Sequence, residues 1–142
     1  MIKRLFRKKP LPIVLDADAP IHKDGVLTEN FGIKIYDGSV ARFASLGESY
    51  PCANSFTFST DEDNQDQITL FFYRGIENLA QNCSFLGECR LRGFDLAPAE
   101  EPLVRLHFRL DNNKIELWAE DEIGSNEISI TVVRNADGTS VQ

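Results

Sequence analysis

From Phe31 onward the chain alternates apolar and polar residues with a period of two, the spacing of strands and not of helices. Phe31, Ile33 and Ile35 alternate with Gly32, Lys34 and Tyr36, and Asp37-Gly38 then supplies a turn. Val40 to Leu46 follows, and after Gly47 and Pro51 come Phe56–Ser59, Ile68–Tyr73 and Phe85–Leu91. The most regular alternation is Val104–Leu110, with Val104, Leu106, Phe108 and Leu110 on one face and Arg105, His107 and Arg109 on the other. Asp111-Asn112-Asn113 has turn chemistry, Ile115–Ala119 answers it, and Ile128–Val132 closes the series. About eight short strands with turn signals between them, and no useful helical period after residue 30, predict an all-β fold, an antiparallel β-sandwich. Residues 1–30 read as a basic tail followed by an irregular arm, 31–134 as the sandwich, and 135–142 as a C-terminal tail.

The segment FTFSTDEDNQDQITLFFYRG, Phe56 to Gly75, places an acidic connection between two of these strands. Asp61, Glu62, Asp63 and Asp66 crowd a loop with no glycine or proline, too wide for a two-residue hairpin. Its spacing lacks the central glycine and terminal glutamate of a twelve-residue calcium loop, so it reads as a solvated acidic rim and no metal is expected.

Charge sharpens this picture. The net charge of −7 includes Lys3, Arg4, Arg7, Lys8 and Lys9 at the start of the chain, so residues 11–142 hold 10 basic and 22 acidic side chains. A body that acidic repels phosphate backbones, which argues against nucleic acid as a partner. The first nine residues resemble a short basic amphipathic turn, but a frayed tail is expected in preference to membrane contact. Ile13-Val14-Leu15 is too short for a signal-peptide core, and the expected location is cytoplasmic. Cys52, Cys83 and Cys89 are too few for a disulfide framework and read as free thiols. His22 and His107 lie in no nucleophile motif, and there is no phosphate-cradling glycine loop. Trp118 reads as a core anchor. No catalytic residue and no cofactor is expected, and the chain does not read as an enzyme.

With these residues in view, FSTDEDNQDQITLFFYRG resembles the substrate-binding β-domain of the seventy-kilodalton heat-shock chaperones. The likeness extends from Phe31 to Phe94, through Tyr36-Asp37-Gly38, Leu86-Gly87 and Leu91-x-Gly93, and continues to about Val132, covering about 100 of the 142 residues. The resemblance implies a sandwich of two four-stranded antiparallel sheets whose loops cradle an extended peptide with an apolar centre. By position it implies a pocket wall of Phe31, Ile33, Ile35, Phe58, Ile68 and Leu70, with Tyr36 and Asp61 arching over the peptide. Three departures stand out. Asp61 takes a small, usually apolar arch position, Ser39 a usually apolar one, and Ala99 replaces the arginine that clasps the loop aspartate, here Asp63. The chain leaves no room for the family's nucleotide-binding domain or helical lid. The expectation is therefore ATP-independent, chaperone-like binding of unfolded or extended peptides with an apolar centre and basic flanks. The alternative is a structural or regulatory interaction domain that has lost the pocket and associates with a separate chaperone or co-chaperone.

Overall fold

The structure, a computed structural model, describes residues 11–141; the basic tail lies outside the described residues. The arm carries three two-residue strands, β1 (Ile13–Val14), β2 (His22–Lys23) and β3 (Val26–Leu27). Eight longer strands follow: β4 (Asn30–Lys34), β5 (Val40–Ala44), β6 (Cys52–Phe58), β7 (Ile68–Gly75), β8 (Ser84–Arg92), β9 (Val104–Asp111), β10 (Lys114–Asp121) and β11 (Ser129–Asn135). Among the described residues, the only helical element is one 3-10 turn, Ala80–Asn82. The all-β, antiparallel reading holds.

Two sheets pack face to face. One has the order β11-β8-β7-β4-β5, the other β1-β10-β9-β6, and β2 with β3 forms a separate ribbon. The expected division into two four-stranded sheets therefore needs correction: the eight long strands split five to three. Strand β11 returns to the free side of β8, where Ile130 and Val132 pair with Leu91 and Cys89 and pack on the same core. The three-stranded sheet gains its fourth member from the arm, as Ile13 and Val14 pair with Leu117 and Glu116. Behind β1, Leu15 and Leu27 are 2% and 1% exposed, so the arm completes the core rather than trailing from it.

Period-two alternation explains the interior. In β9 and β10 every second residue, from Val104 to Leu110 and from Ile115 to Ala119, is buried. In β7, Ile68, Leu70 and Phe72 face the same interior. A phenylalanine cluster fills the centre. The Phe31 ring stacks on Phe72 at 5.7 Å, tilts against Phe108 at 5.4 Å and meets Phe43 edge-on at 5.9 Å; such pairs add about 0.5–1.5 kcal/mol each beyond area burial. Gly32 is required here, since a Cβ would stand 2.0 Å from the carbonyl oxygen of Ala41 where β4 and β5 shift register.

Trp118 departs from its expected place. The register that turns Leu117 and Ala119 inward turns Trp118 outward, opposite His107, and the two rings stack at 5.2 Å. His107 also lies 3.3 Å from Glu120, a cross-strand role on the outer face. The three cysteines are free; burial, then the charge of Glu88, pushes the Cys89 thiol up to about 12.

Candidate functional site

Strand direction brings four loops to one end of the sandwich: 35–39, 59–67, 93–103 and 122–128. All eight residues singled out from the sequence belong to the strands and loops of this end or to the core directly beneath it. Antiparallel pairing sets Ile33 opposite Phe72, and Ile35 follows just past the end of β4, at the start of the 35–39 turn. Phe58 closes β6 opposite Val104 and leads into the acidic loop.

Exposure sorts the eight into layers. Phe31 is fully buried at the middle of the phenylalanine cluster. Ile33, Ile68 and Leu70 are 6%, 6% and 4% exposed and belong to the core. Phe58 is half-buried, its ring 6.0 Å from that of Phe43. Ile35 stands at the surface, Asp61 is exposed, and Tyr36 is 99% exposed. Ile33, Ile68 and Leu70 thus form an aliphatic floor packed into the core at this end, while Tyr36 and Asp61 stand exposed on two of its loops.

The two loops are held differently. In the 35–39 turn, Ile35 N–H donates to Ser39 O, Gly38 N–H donates to Ile35 O, and Gly38 has φ +86°. Asp37 accepts from Ser39 through both the hydroxyl at 2.6 Å and the N–H at 2.9 Å, and these bonds hold its carboxyl below the usual aspartate range. Ser39, a departure from the family pattern, therefore has a local role. The loop after β7 supports the turn, with Ala80 N–H donating to Gly38 O. Tyr36 makes no hydrogen bond, ring contact or ion pair among the described residues.

The acidic loop is laced instead. Gln65 Oε1 accepts from the N–H groups of Asp61 at 3.0 Å and Glu62 at 3.2 Å, while its Nε2 donates to Gln67 O at 2.6 Å. Asn64, at φ +58°, donates its N–H to Ala97 O, and Glu100 N–H donates to Thr60 O. Asp63 does not lose its anchor when alanine replaces arginine: Ala99 N–H donates to Asp63 Oδ1 at 2.8 Å. Beside Asp61, Thr60 is 2% exposed and its Oγ1 has no hydrogen-bond partner among the described residues. The sequence reading missed Gln65 as the organiser of this loop and Phe43 as a core aromatic. Phe43 was visible in the alternation with Ala41, whereas the contacts of Gln65 depend on loop closure.

The surroundings are strongly anionic. The four loops contain ten aspartates or glutamates and no lysine or arginine. Among the described residues, no group of three or more His, Cys, Asp or Glu side chains is placed to hold a metal ion. Nor is any helix long and apolar enough to cross a membrane.

A family model described as "Hsp70 protein" matches residues 21–142. The "Chaperone protein DnaK" of Burkholderia cepacia is 29% identical over 111 residues, which cover 78% of this chain and 17% of that protein. The aligned region thus corresponds to a small part of its relative.

Proposed function

The chain belongs to the Hsp70 family, and on that premise we propose that its sandwich binds extended polypeptide segments with an aliphatic centre, without nucleotide chemistry of its own. The observation that carries this reading is that Tyr36 and Asp61 stand exposed on two loops at one end of the sandwich, the end at which the strands bearing the aliphatic floor residues Ile33, Ile68 and Leu70 meet those loops. An extended peptide must satisfy its own backbone donors and acceptors as it enters a site. Tyr36, exposed and with no hydrogen bond of its own among the described residues, is a group that such a backbone would meet.

Magnitudes bound the affinity. One buried leucine contributes about 1.5–3 kcal/mol and each backbone hydrogen bond about 0.5–1.5 kcal/mol. Ordering and association cost about 4–15 kcal/mol. Micromolar binding with rapid release follows. The anionic loops add a preference for lysine or arginine beside the aliphatic centre. Titration of labelled Leu-centred peptides against wild type and Ile35→Asp is the test. Wild type should bind in the micromolar range and the variant at least tenfold more weakly; equal affinities, or no binding to wild type, would overturn the reading.

A second reading is favoured by the low exposure of Ile33, Ile68 and Leu70, which are packed into the core. In it, the sandwich is a structural or regulatory interaction domain whose pocket is filled, and its partner is a single folded protein, such as a chaperone or co-chaperone. Recovery of one stoichiometric partner, together with no peptide binding, would favour this second reading.

A further inference from the structure

We propose that the free edge of β6 pairs with the same strand of a second copy of this chain, antiparallel about a two-fold axis, to make a closed dimer. Among the described residues, the other three sheet edges are covered over part or all of their length. Strand β1 lies along β10. The 76–83 loop reaches β5, where Val40 N–H donates to Asn78 O and Ser39 bridges Leu79. Residues 139–141 fold back on β11, where Ser140 bridges Arg134 and Val141 N–H donates to Val133 O. Strands β5 and β11 also carry an arginine each, Arg42 and Arg134, a charge that discourages edge pairing. Strand β6, from Cys52 to Phe58, has no cover among the described residues and contains no charged residue, proline or glycine.

Backbone direction identifies the groups left open. Successive residues of an antiparallel strand turn their N–H and C=O to opposite sides. Leu15 N–H reaches Ile115 O, so Glu116, Trp118 and Glu120 turn theirs toward β9. Followed through the registers of β10 with β9 and of β9 with β6, the same alternation leaves Ala53, Ser55 and Thr57 facing the free side of β6. Ser55 agrees with this: its N–H bonds to the Asn54 side chain, at 2.8 Å, and not to a strand. Ala53, Asn54 and Thr57 are exposed, so the edge is accessible.

A two-fold through Ser55 makes the edge its own complement. Ser55 then faces Ser55 of the second copy and Ala53 faces its Thr57, each a pair that exchanges two N–H···O bonds. Between these pairs Phe56 meets Asn54 of the second copy and Phe58 meets its Cys52, which covers two rings that are only half-buried in one molecule. Charge selects the antiparallel sense. The acidic 59–67 loop follows directly on β6, and parallel pairing would set two such loops side by side. Antiparallel pairing keeps their starting points, at Phe58, about six residues or ~20 Å apart, roughly twice the ~10 Å screening length at about 0.1 M salt. The two four-stranded sheets become one continuous sheet bounded on both sides by β1, so growth stops at the dimer.

Sedimentation velocity on the full chain from roughly 1 to 300 μM is the test, a span that brackets weak interfaces. Wild type should pass from monomer to dimer with nothing larger, and raising salt from about 0.1 to 0.5 M should shift the midpoint less than about threefold. Ser55→Pro removes the central N–H while leaving the bonds to β9 in place, and should raise the dissociation constant about tenfold or more. Ala53→Lys, at an exposed position, should do the same by charge, and it decides the matter if circular dichroism shows the proline variant unfolded. Hydrogen exchange should slow at the Ala53, Ser55 and Thr57 amides as concentration rises, while the Leu117 amide, already beside β1, stays unchanged. A monomer at every concentration overturns the proposal, as does a dimer that survives in either folded variant. Species larger than a dimer, or a dimer whose β6 edge amides exchange as in the monomer, overturn it equally.

Discussion

The two loops above the aliphatic floor solve opposite problems. The acidic loop 59–67 carries four carboxylates in nine residues, yet Gln65, Ala97 and Ala99 fix its course. The turn 35–39 is short, closed by Asp37, Ser39 and Gly38, and leaves Tyr36 without a contact. One loop spends its polar groups on its own shape; the other holds its shape with three residues and presents a fourth. In the proposed peptide-binding reading, the acidic loop is the wall of the site and Tyr36 the part that meets a ligand.

The largest effect comes from removing what both loops stand on. Phe31→Ala should cost about 3–5 kcal/mol in urea unfolding, because the ring touches Phe43, Phe72 and Phe108 at the centre of the sandwich. A loss below 1 kcal/mol would mean that the floor is not shared. Asp63→Ala breaks the wall alone. It should cost about 1 kcal/mol and raise the hydrogen-exchange rate of the Ala99 amide, while the 35–39 turn keeps its protection.

Acid separates the loops differently. The folded value of Asp37 is depressed by its bonds from Ser39. Its contribution to the turn is therefore present above the unfolded value of about 3.9 and is lost as pH falls through the lower folded value. The Ser39 amide resonance, followed by NMR, should move as pH drops below about 4, and Asp37→Asn should abolish that step. The smallest change in stability belongs to Tyr36→Ala, within about 0.5 kcal/mol of wild type, although peptide release should accelerate. A destabilised Tyr36→Ala protein, or one with unchanged release, would put Tyr36 on the wrong side of the comparison.

Strand periodicity made most of the sandwich readable in advance. Val104–Leu110 and Ile115–Ala119 could turn only one face inward, and they do. The split of strands between sheets was not readable, because alternation tells a strand which face is apolar but not which neighbour it pairs with. For the same reason Trp118 was misassigned: its size suggested burial, while the parity of β10 placed it outside with His107. At the candidate site, the aliphatic wall positions and the two arch positions were named from the resemblance alone. The bracing by Gln65, and the replacement of an arginine side chain by the Ala99 amide, were not, because backbone donors leave no mark in the residue alphabet.

Ile13 and Val14 have a consequence for handling the protein. An uncovered β10 would present a row of unpaired amides and carbonyls beside Leu117, a template for the same strand of another molecule. Two residues of the arm occupy that row, and Leu15 N–H extends the cover to Ile115 O. A version cut after residue 15 would keep every long strand and lose its protection against self-association, so colloidal behaviour in this module is governed from a segment remote from its acidic loops.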